Sequence, residues 1–490
     1  MKITIRNLGV IKKAEINLKP LTILVGPNNS GKTWLAYTLA SIFGPYAFSK
    51  YLKTTEEREV PPFFSPIDKA VEQITNRGSA VFDLLQFASE YGEAYFNDVA
   101  QTVRYWMPEY MSTQTASFEN LAITIHLDTT KKSLSERVFN YYLRSQIAGG
   151  RQQPLLNIRK NRGDSKLYIY TSIQFDSAED YPVEEQIVEQ LPPDLIKETL
   201  IQTIFEILHR SLYPHVRILP TERTTFITFP SSSRTKDGLI ELTIEKKPAQ
   251  DQKMRTVSAP VSFFLDMINS TPYSESEKAR RESSTKGNQN IKYYTQLAQL
   301  LEKQILNGEI QISQPESDLT QEGSLSQESA ATREVLFQPT KDCKLEISIA
   351  SSMVKELSPL VLYLRYLARP GELLIIDEPE MNLHPEAQAK MIEFLAMLIN
   401  AGLNIIITTH SPYVTDHLTN LIKAYDAENK DSIRGEFYLK RTEAFISKEK
   451  VSVYLVDRGK TTKAIDEDGV IQLNTFGEVS DRISEIYFKL

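Results

Sequence analysis

The chain has 490 residues, 41% of them hydrophobic and 24% charged, with a formal net charge of −7. That length asks for about two or three domains, and the composition is that of ordinary globular proteins. The acidic balance argues against binding polyanions over the whole surface, and the single cysteine, Cys343, excludes an internal disulfide framework or a multi-cysteine zinc site.

No run reaches the ~18 apolar residues of a membrane span. The first residues, MKITIRNLGVIKKAEINL, lack the apolar centre of a signal peptide. A cytoplasmic protein without membrane partners is therefore expected.

In chain order, Ile3–Leu18 alternates with Ile3, Ile5, Ala14 and Ile16 on one face and predicts a β-hairpin. Leu21–Val25 is a buried strand that runs into GPNNSGKT at Gly26–Thr33, and Trp34–Phe43 has helical spacing closed by Gly44-Pro45. Lys50–Ser65, with Pro61-Pro62, reads as a linker, and Pro66–Tyr110 as helical and aromatic-rich. Strands follow at Ala122–Asp128 and Leu167–Phe175, with RKNRGDSK (Arg159–Lys166) between them as an exposed hairpin tip. Leu195–Leu212 is an amphipathic helix and His215–Pro220 a buried strand.

Phe226–Leu336 is the most polar stretch. It offers the strand LIELTIEK, helices near Val261–Ile268 and Tyr293–Leu306, and two tracts, STPYSESEKARRESSTKGNQN and SQPESDLTQEGSLSQESAATR, too polar to order themselves alone. Sustained heptads and internal repeats are absent from the sequence. From Leu345 the strand LEISIA leads to helix Leu357–Leu367, strand Leu373–Ile376, helix Pro385–Ile399 and strand Asn404–Thr408. These alternating units imply an α/β fold with a mostly parallel sheet and ligands at the strands' carboxyl ends. The tail reads as a small hairpin, VSVYLVDRGKTTKAI, and a helix at Glu478–Phe488.

Gly26–Thr33 satisfies G-x-x-x-x-G-K-[ST] at every fixed position. In a strand–loop–helix context Gly26 and Gly31 allow close approach, and the backbone through Asn28, Asn29, Ser30 and Trp34 aims N–H groups at phosphates. Lys32 brings a charge to the β/γ-phosphates and Thr33 a hydroxyl to Mg²⁺. LLIIDEPE ends a strand in two carboxylates: Asp377 is placed to hold the metal and Glu378 to act as general base on a water. His410, just beyond the next strand, is placed near the far phosphate. ATP and Mg²⁺ are thus the expected cofactors. His126, His209, His215 and His417 stand in no constellation and read as structural, while His384 in NLHP reads as a cap or an interface residue rather than a metal ligand.

The order of NNSGKT, LPTER (Leu219–Arg223), SSMVKELSPL (Ser351–Leu360), DEPEMNLHP and TTHSPYV resembles ABC-type ATPases. Closest in kind are SMC-like and RecF-like heads and compact ATPases related to the OLD family. The resemblance covers the first 45 or so residues and Leu345–Tyr413, with LPTER between. It implies an N-terminal antiparallel β subdomain and a helical insertion lobe around the sheet. The chain then divides into residues 1–48, the first half of the head; 49–214, a helical and β insertion lobe; and 215–344, an insertion with a core strand at its start. Residues 345–425 form the second half of the head, and 426–490 the closing hairpin and helix.

In that class two heads sandwich ATP. Ser351 and Ser352 would then meet the γ-phosphate bound by the partner copy, and Arg223 would reach phosphate or the partner. Met353 stands where the class usually has glycine. OLD relatives carry a TOPRIM nuclease, but Asp466 and Asp468 lie in a turn without a second acidic strand site, so no built-in nuclease is expected. By resemblance, the leading reading is a dimerising ATPase, a homodimer or higher homo-oligomer, that senses and scaffolds a separate nuclease or toxin effector in prokaryotic antiphage defence. The alternative is a RecF-like DNA-repair ATPase, with Arg159, Lys160, Arg162 and Lys166 touching DNA phosphates. A transporter ATPase would want a transmembrane partner and an LSGGQ-like signature with a glutamine switch loop, cues that are weak or absent in this sequence.

Overall fold

A computed structural model describes residues 1–55, 61–127, 130–148, 154–171, 191–228, 257–269, 289–313, 335–473 and 485–487. LIELTIEK, nearly all of both polar tracts, the end of the strand expected to reach Phe175 and most of the helix expected at Glu478–Phe488 lie outside the described residues. The described chain forms two compact units, one of residues 1–4, 41–103 and 122–215, the other of 5–40, 104–121 and 216–490.

The second unit is built on a mixed sheet. Its strands run side by side in the order Lys2–Leu8, Ile11–Asn17, Lys460–Lys463, Val451–Asp457, Leu21–Val25, Asn404–Thr409, Leu373–Asp377, Val216–Leu219. From Val451–Asp457 to Val216–Leu219 every neighbouring pair is parallel. The apolar runs of Leu21–Val25 and Leu373–Asp377 are buried at every position, as expected of strands covered on both faces. Register brings the carboxyl ends together: Val25 pairs with Thr409 and with Leu455, and Asp377 with Thr408. The expected N-terminal hairpin is present, with Ile3, Ile5, Ala14 and Ile16 inward, and it continues the same sheet. The tail hairpin is also found. Its first strand lies directly beside the strand that feeds the glycine loop, a central place that its position near the end of the sequence did not signal.

Helix Ser352–Tyr366 starts earlier than the apolar spacing predicts, because Ser351 caps it by accepting a hydrogen bond from the Val354 amide at 3.4 Å. Helices Gln289–Leu301 and Ala259–Asn269 pack on it. The antiparallel strands Glu309–Ile312, Val335–Thr340 and Cys343–Glu346 precede it in the chain.

In the first unit, helix Pro45–Thr55 runs into the stretch expected as a linker, with Tyr51 buried and its hydroxyl donating to Asp98. Within Pro66–Tyr110, expected to be helical throughout, helix Ser65–Arg77 ends on Gly78 at φ 74°, and Ser79–Asp83 becomes a strand with Ala80 and Phe82 inward. Its period-two alternation outweighed the helical neighbourhood. It edges an antiparallel sheet in the order Ser79–Asp83, Lys166–Thr171, Pro154–Lys160, Leu143–Ala148. His209 is structural as expected: Tyr95 and the Ile42 carbonyl hold it, and burial lowers its pKa to about 4, keeping it neutral at physiological pH.

The tip of the Arg159–Lys166 hairpin corrects one expectation. Lys160 is fully buried, and its ammonium donates to the carbonyls of Phe139, Tyr141, Asn161 and Asp164. It is an internal clasp that no phosphate reaches. Lys160→Met should leave those carbonyls without their donor and destabilise the first unit by about 2–4 kcal/mol. Hydrogen exchange across residues 139–166 checks this; unchanged protection would contradict it.

Candidate active site

The glycine loop bridges strand Leu21–Val25 and helix Lys32–Phe43. A Cβ on Gly26 would lie 2.2 Å from the Val456 carbonyl oxygen, so only glycine lets the loop pass the neighbouring strand. Gly31 sits at φ +96°, and its Cβ would meet Ile11 at 2.8 Å. Lys32 is buried, with its ammonium donating to the carbonyls of Gly26 and Pro27 at 2.9 Å each. Burial lowers its pKa, while the charges of Glu378, Asp377 and Glu380 oppose that shift.

Asp377 ends its strand fully buried. Its Oδ1 accepts hydrogen bonds from the Thr33 hydroxyl at 3.1 Å and from Thr408, while Oδ2 has no hydrogen-bond partner. Burial raises its pKa to about 6 against the opposing hydroxyl bonds. A buried, unpartnered carboxylate oxygen beside a threonine hydroxyl is an all-oxygen donor set that fits a hard divalent cation such as Mg²⁺.

Glu378 stands at φ +49°, a region non-glycine residues rarely occupy. Its N–H donates to Thr408 Oγ1 at 3.0 Å, and its carboxylate lies 3.5 Å from His410 Nδ1. Glu380 belongs to the same cluster. It is 3% exposed and accepts from the Thr409 hydroxyl at 2.6 Å and the His410 amide at 2.9 Å. Its Oε1 is also 3.6 Å from His410 Nδ1. The helix starts only at Pro385, capped by His384 as expected. Thr408 and Thr409 are further residues of the site that motif reading passed over.

A cleft of about 720 Å³ joins these groups: the loop from Asn28 through Trp34, with Thr221, Glu378, His410 and the hairpin tip Gly9–Val10. Gly9 closes over the ring of Trp34, which stacks on Phe118 at 5.7 Å. Ser351 and Ser352 are exposed at the amino end of their helix, and neither lines the cleft. Met353 is half-buried against the hydrophobic core.

Arg223, expected on phosphate or at a partner surface, faces inward. It is 1% exposed and donates to the carbonyls of Pro220, Asp377 and Glu378, and it pairs with buried Glu356. Elsewhere, His417 pairs with Glu393 at 2.7 Å as a structural residue. Asp466 accepts the amides of Asp468 and Val470 within a turn. Among the described residues no group of three or more His, Cys, Asp or Glu is arranged to hold a metal, and no helix is long and apolar enough to cross a membrane.

A family profile described as an AAA ATPase domain matches residues 1–415. The chain belongs to that family. No curated protein matches this AAA ATPase. Among solved structures it is similar to an Smc head bound to the C-winged helix domain of ScpA, at 11% identity over 94% of this chain and 96% of that one, with a TM-score of 0.36. It is similar to an Smc head with an extended coiled coil bound to the C-terminal domain of ScpA from Pyrococcus furiosus (10% identity, 99% and 98% coverage, TM-score 0.35). The SMC head domain from Thermotoga maritima follows at 11% identity, 95% and 98% coverage and a TM-score of 0.28.

The raised pKa of Asp377 has a signed consequence for this AAA ATPase. A folded-state value of about 6 against an unfolded value of 3.8 makes this carboxyl neutral in effect below about pH 4, increasingly destabilising between about 4 and 6, and constant in its effect above that. Asp377→Asn keeps an acceptor for both hydroxyls. Without nucleotide or Mg²⁺ it should be more stable than wild type above pH 7, by about 3 kcal/mol, with the gap closing towards pH 4. Denaturant unfolding across that range reads it; a pH-independent gap would contradict it.

Proposed function

We propose that this AAA ATPase binds ATP with Mg²⁺ in the Gly26–Thr33 cleft and hydrolyses it, and that two copies close around the nucleotide. One observation carries the reading: Thr33 meets Asp377 from 344 positions away, and Asp377 has an unpartnered buried oxygen. Glu378 and His410 line the same cleft.

In this reading Lys32 exchanges its loop carbonyls for β/γ-phosphate oxygens, and helix Lys32–Phe43 directs its amino end at them. Thr33 and Asp377 would hold Mg²⁺, which supplies charge neutralisation between the phosphates. Glu378 takes the proton of the attacking water on its carboxylate. His410, steadied through its amide by Glu380, hydrogen-bonds the γ-phosphate. Closing water out of the cleft strengthens each of these interactions.

Ser351 and Ser352 act across the dimer, on the γ-phosphate held by the other copy. What supports this is that both are exposed and stand outside the cleft of their own chain, with Ser351 capping the helix of 15 residues that begins at Ser352. The ATP-driven dimer acts as sensor and scaffold for a separate nuclease or toxin in antiphage defence, a role supported by the resemblance of its motifs. A DNA-repair role has less support, since Lys160 of the basic hairpin is buried.

Glu378→Gln should bind ATP within about twofold of wild type yet lose turnover by about a hundredfold or more, and should accumulate as an ATP-bound dimer. Lys32→Ala should lose nucleotide binding. Calorimetry, phosphate release and light scattering read these outcomes; unchanged turnover in Glu378→Gln would remove the residue from its role.

A further inference from the structure

Arg223 is among the largest fully buried side chains of the molecule, and its partners are unusual. Nη1 donates to the carbonyls of Pro220 and Asp377, at 2.7 Å each, and Nη2 to the carbonyl of Glu378 at 2.9 Å. Nη2 also pairs with the carboxylate of Glu356, from helix Ser352–Tyr366. The guanidinium therefore grips the two peptide carbonyls on either side of the Glu378 Cα and anchors them to that helix.

The gripped residue is the strained one. Glu378 lies at φ +49°, a conformation that persists in a non-glycine residue only where its surroundings over-determine it. Thr408 Oγ1 receives its N–H. Its carbonyl receives Arg223 Nη2 and the Met381 amide at 3.1 Å. With both ends of the residue fixed, the side chain leaves the backbone in one direction, towards the cleft that it lines.

Stability alone does not account for the pair. Burying a guanidinium and a carboxylate is expensive, and apolar residues of similar volume commonly replace such pairs without loss of stability. A planar fork spanning two consecutive carbonyls, however, can be supplied by arginine and not by an apolar side chain or by lysine.

We propose that Arg223 and Glu356 form a positioning pair for Glu378, fixing the left-handed backbone that aims its carboxylate and tying that backbone to the helix whose amino end carries Ser351 and Ser352. Neither residue touches the nucleotide. The inference rests on Glu378 acting as the base of ATP hydrolysis. It adds a mechanical link: any displacement of the exposed serine end is felt at Glu378 through one buried ion pair.

The test is the double variant Arg223→Met/Glu356→Leu in the full chain. It should fold with a Tm lowered by the loss of the donor to the Pro220, Asp377 and Glu378 carbonyls, and still bind ATP within about threefold. Its kcat should fall about tenfold or more with KM little changed. Arg223→Lys, which keeps the charge and loses the fork, should also lower kcat, and it decides the matter if the double variant fails to fold. A kcat within twofold of wild type in the folded variant would overturn the proposal. Amide exchange of residues 378–381 reads the same claim without turnover: it should speed up about tenfold or more, and unchanged protection would also overturn it. A wild-type chain that binds ATP without hydrolysing it would instead overturn the ATPase reading, leaving the exchange result to judge the pair.

Discussion

Asp377 accepts hydrogen bonds from Thr33 and Thr408 on one buried oxygen and leaves the other unpartnered. The surrounding architecture can be understood as what makes that arrangement tolerable. A lone ionised carboxylate at a fully buried strand end is costly, and here it is joined by Glu378, Glu380 and Glu356 within one unit. Lys32 and Arg223 are the counterweight, and both are themselves buried. The cluster is acidic by excess, which is the condition under which a divalent cation, or a proton on Asp377, is favoured. A parallel sheet is a natural scaffold for it, because register sets the ends of the strands holding Val25, Asp377 and Thr409 at one edge.

The two cations do different work. Lys32 rests on loop carbonyls that a phosphate can replace. Arg223 rests on main-chain carbonyls at the end of strand Leu373–Asp377 and on a helix carboxylate, neither of which a ligand can displace without unfolding the strand end. One is poised to change partners and the other to prevent change. Glu380 belongs to the second kind, holding the Thr409–His410 turn from a buried position.

The parts of this site legible in the sequence are those in which function demands particular residues side by side: Gly26–Thr33, Asp377-Glu378 and His410. Strand limits around them were equally plain, since apolar runs such as Leu373–Ile376 are bounded by charge or glycine. Arg223 was visible as part of LPTER, but whether an arginine turns in or out is decided by Glu356 and by carbonyls more than a hundred positions away. Lys160 misled for a more local reason: its carbonyl partners lie within 21 positions, but only the closed hairpin turns them towards its ammonium. Glu380 was not legible, because its partners Thr409 and His410 lie on another strand's end, about thirty positions away. Val451–Asp457 gave away its strand but not its neighbours, because pairing with Leu21–Val25 is a property of the whole sheet.

The most direct measurement is a crystal structure of the chain with Mg²⁺ and a non-hydrolysable ATP analogue. The account predicts the metal about 2.1 Å from Thr33 Oγ1, with the free oxygen of Asp377 bound to it directly or through one water, and the γ-phosphate among Lys32, Glu378 and His410. Nucleotide bound outside the Gly26–Thr33 loop, or a metal held without Thr33 and Asp377, would contradict it.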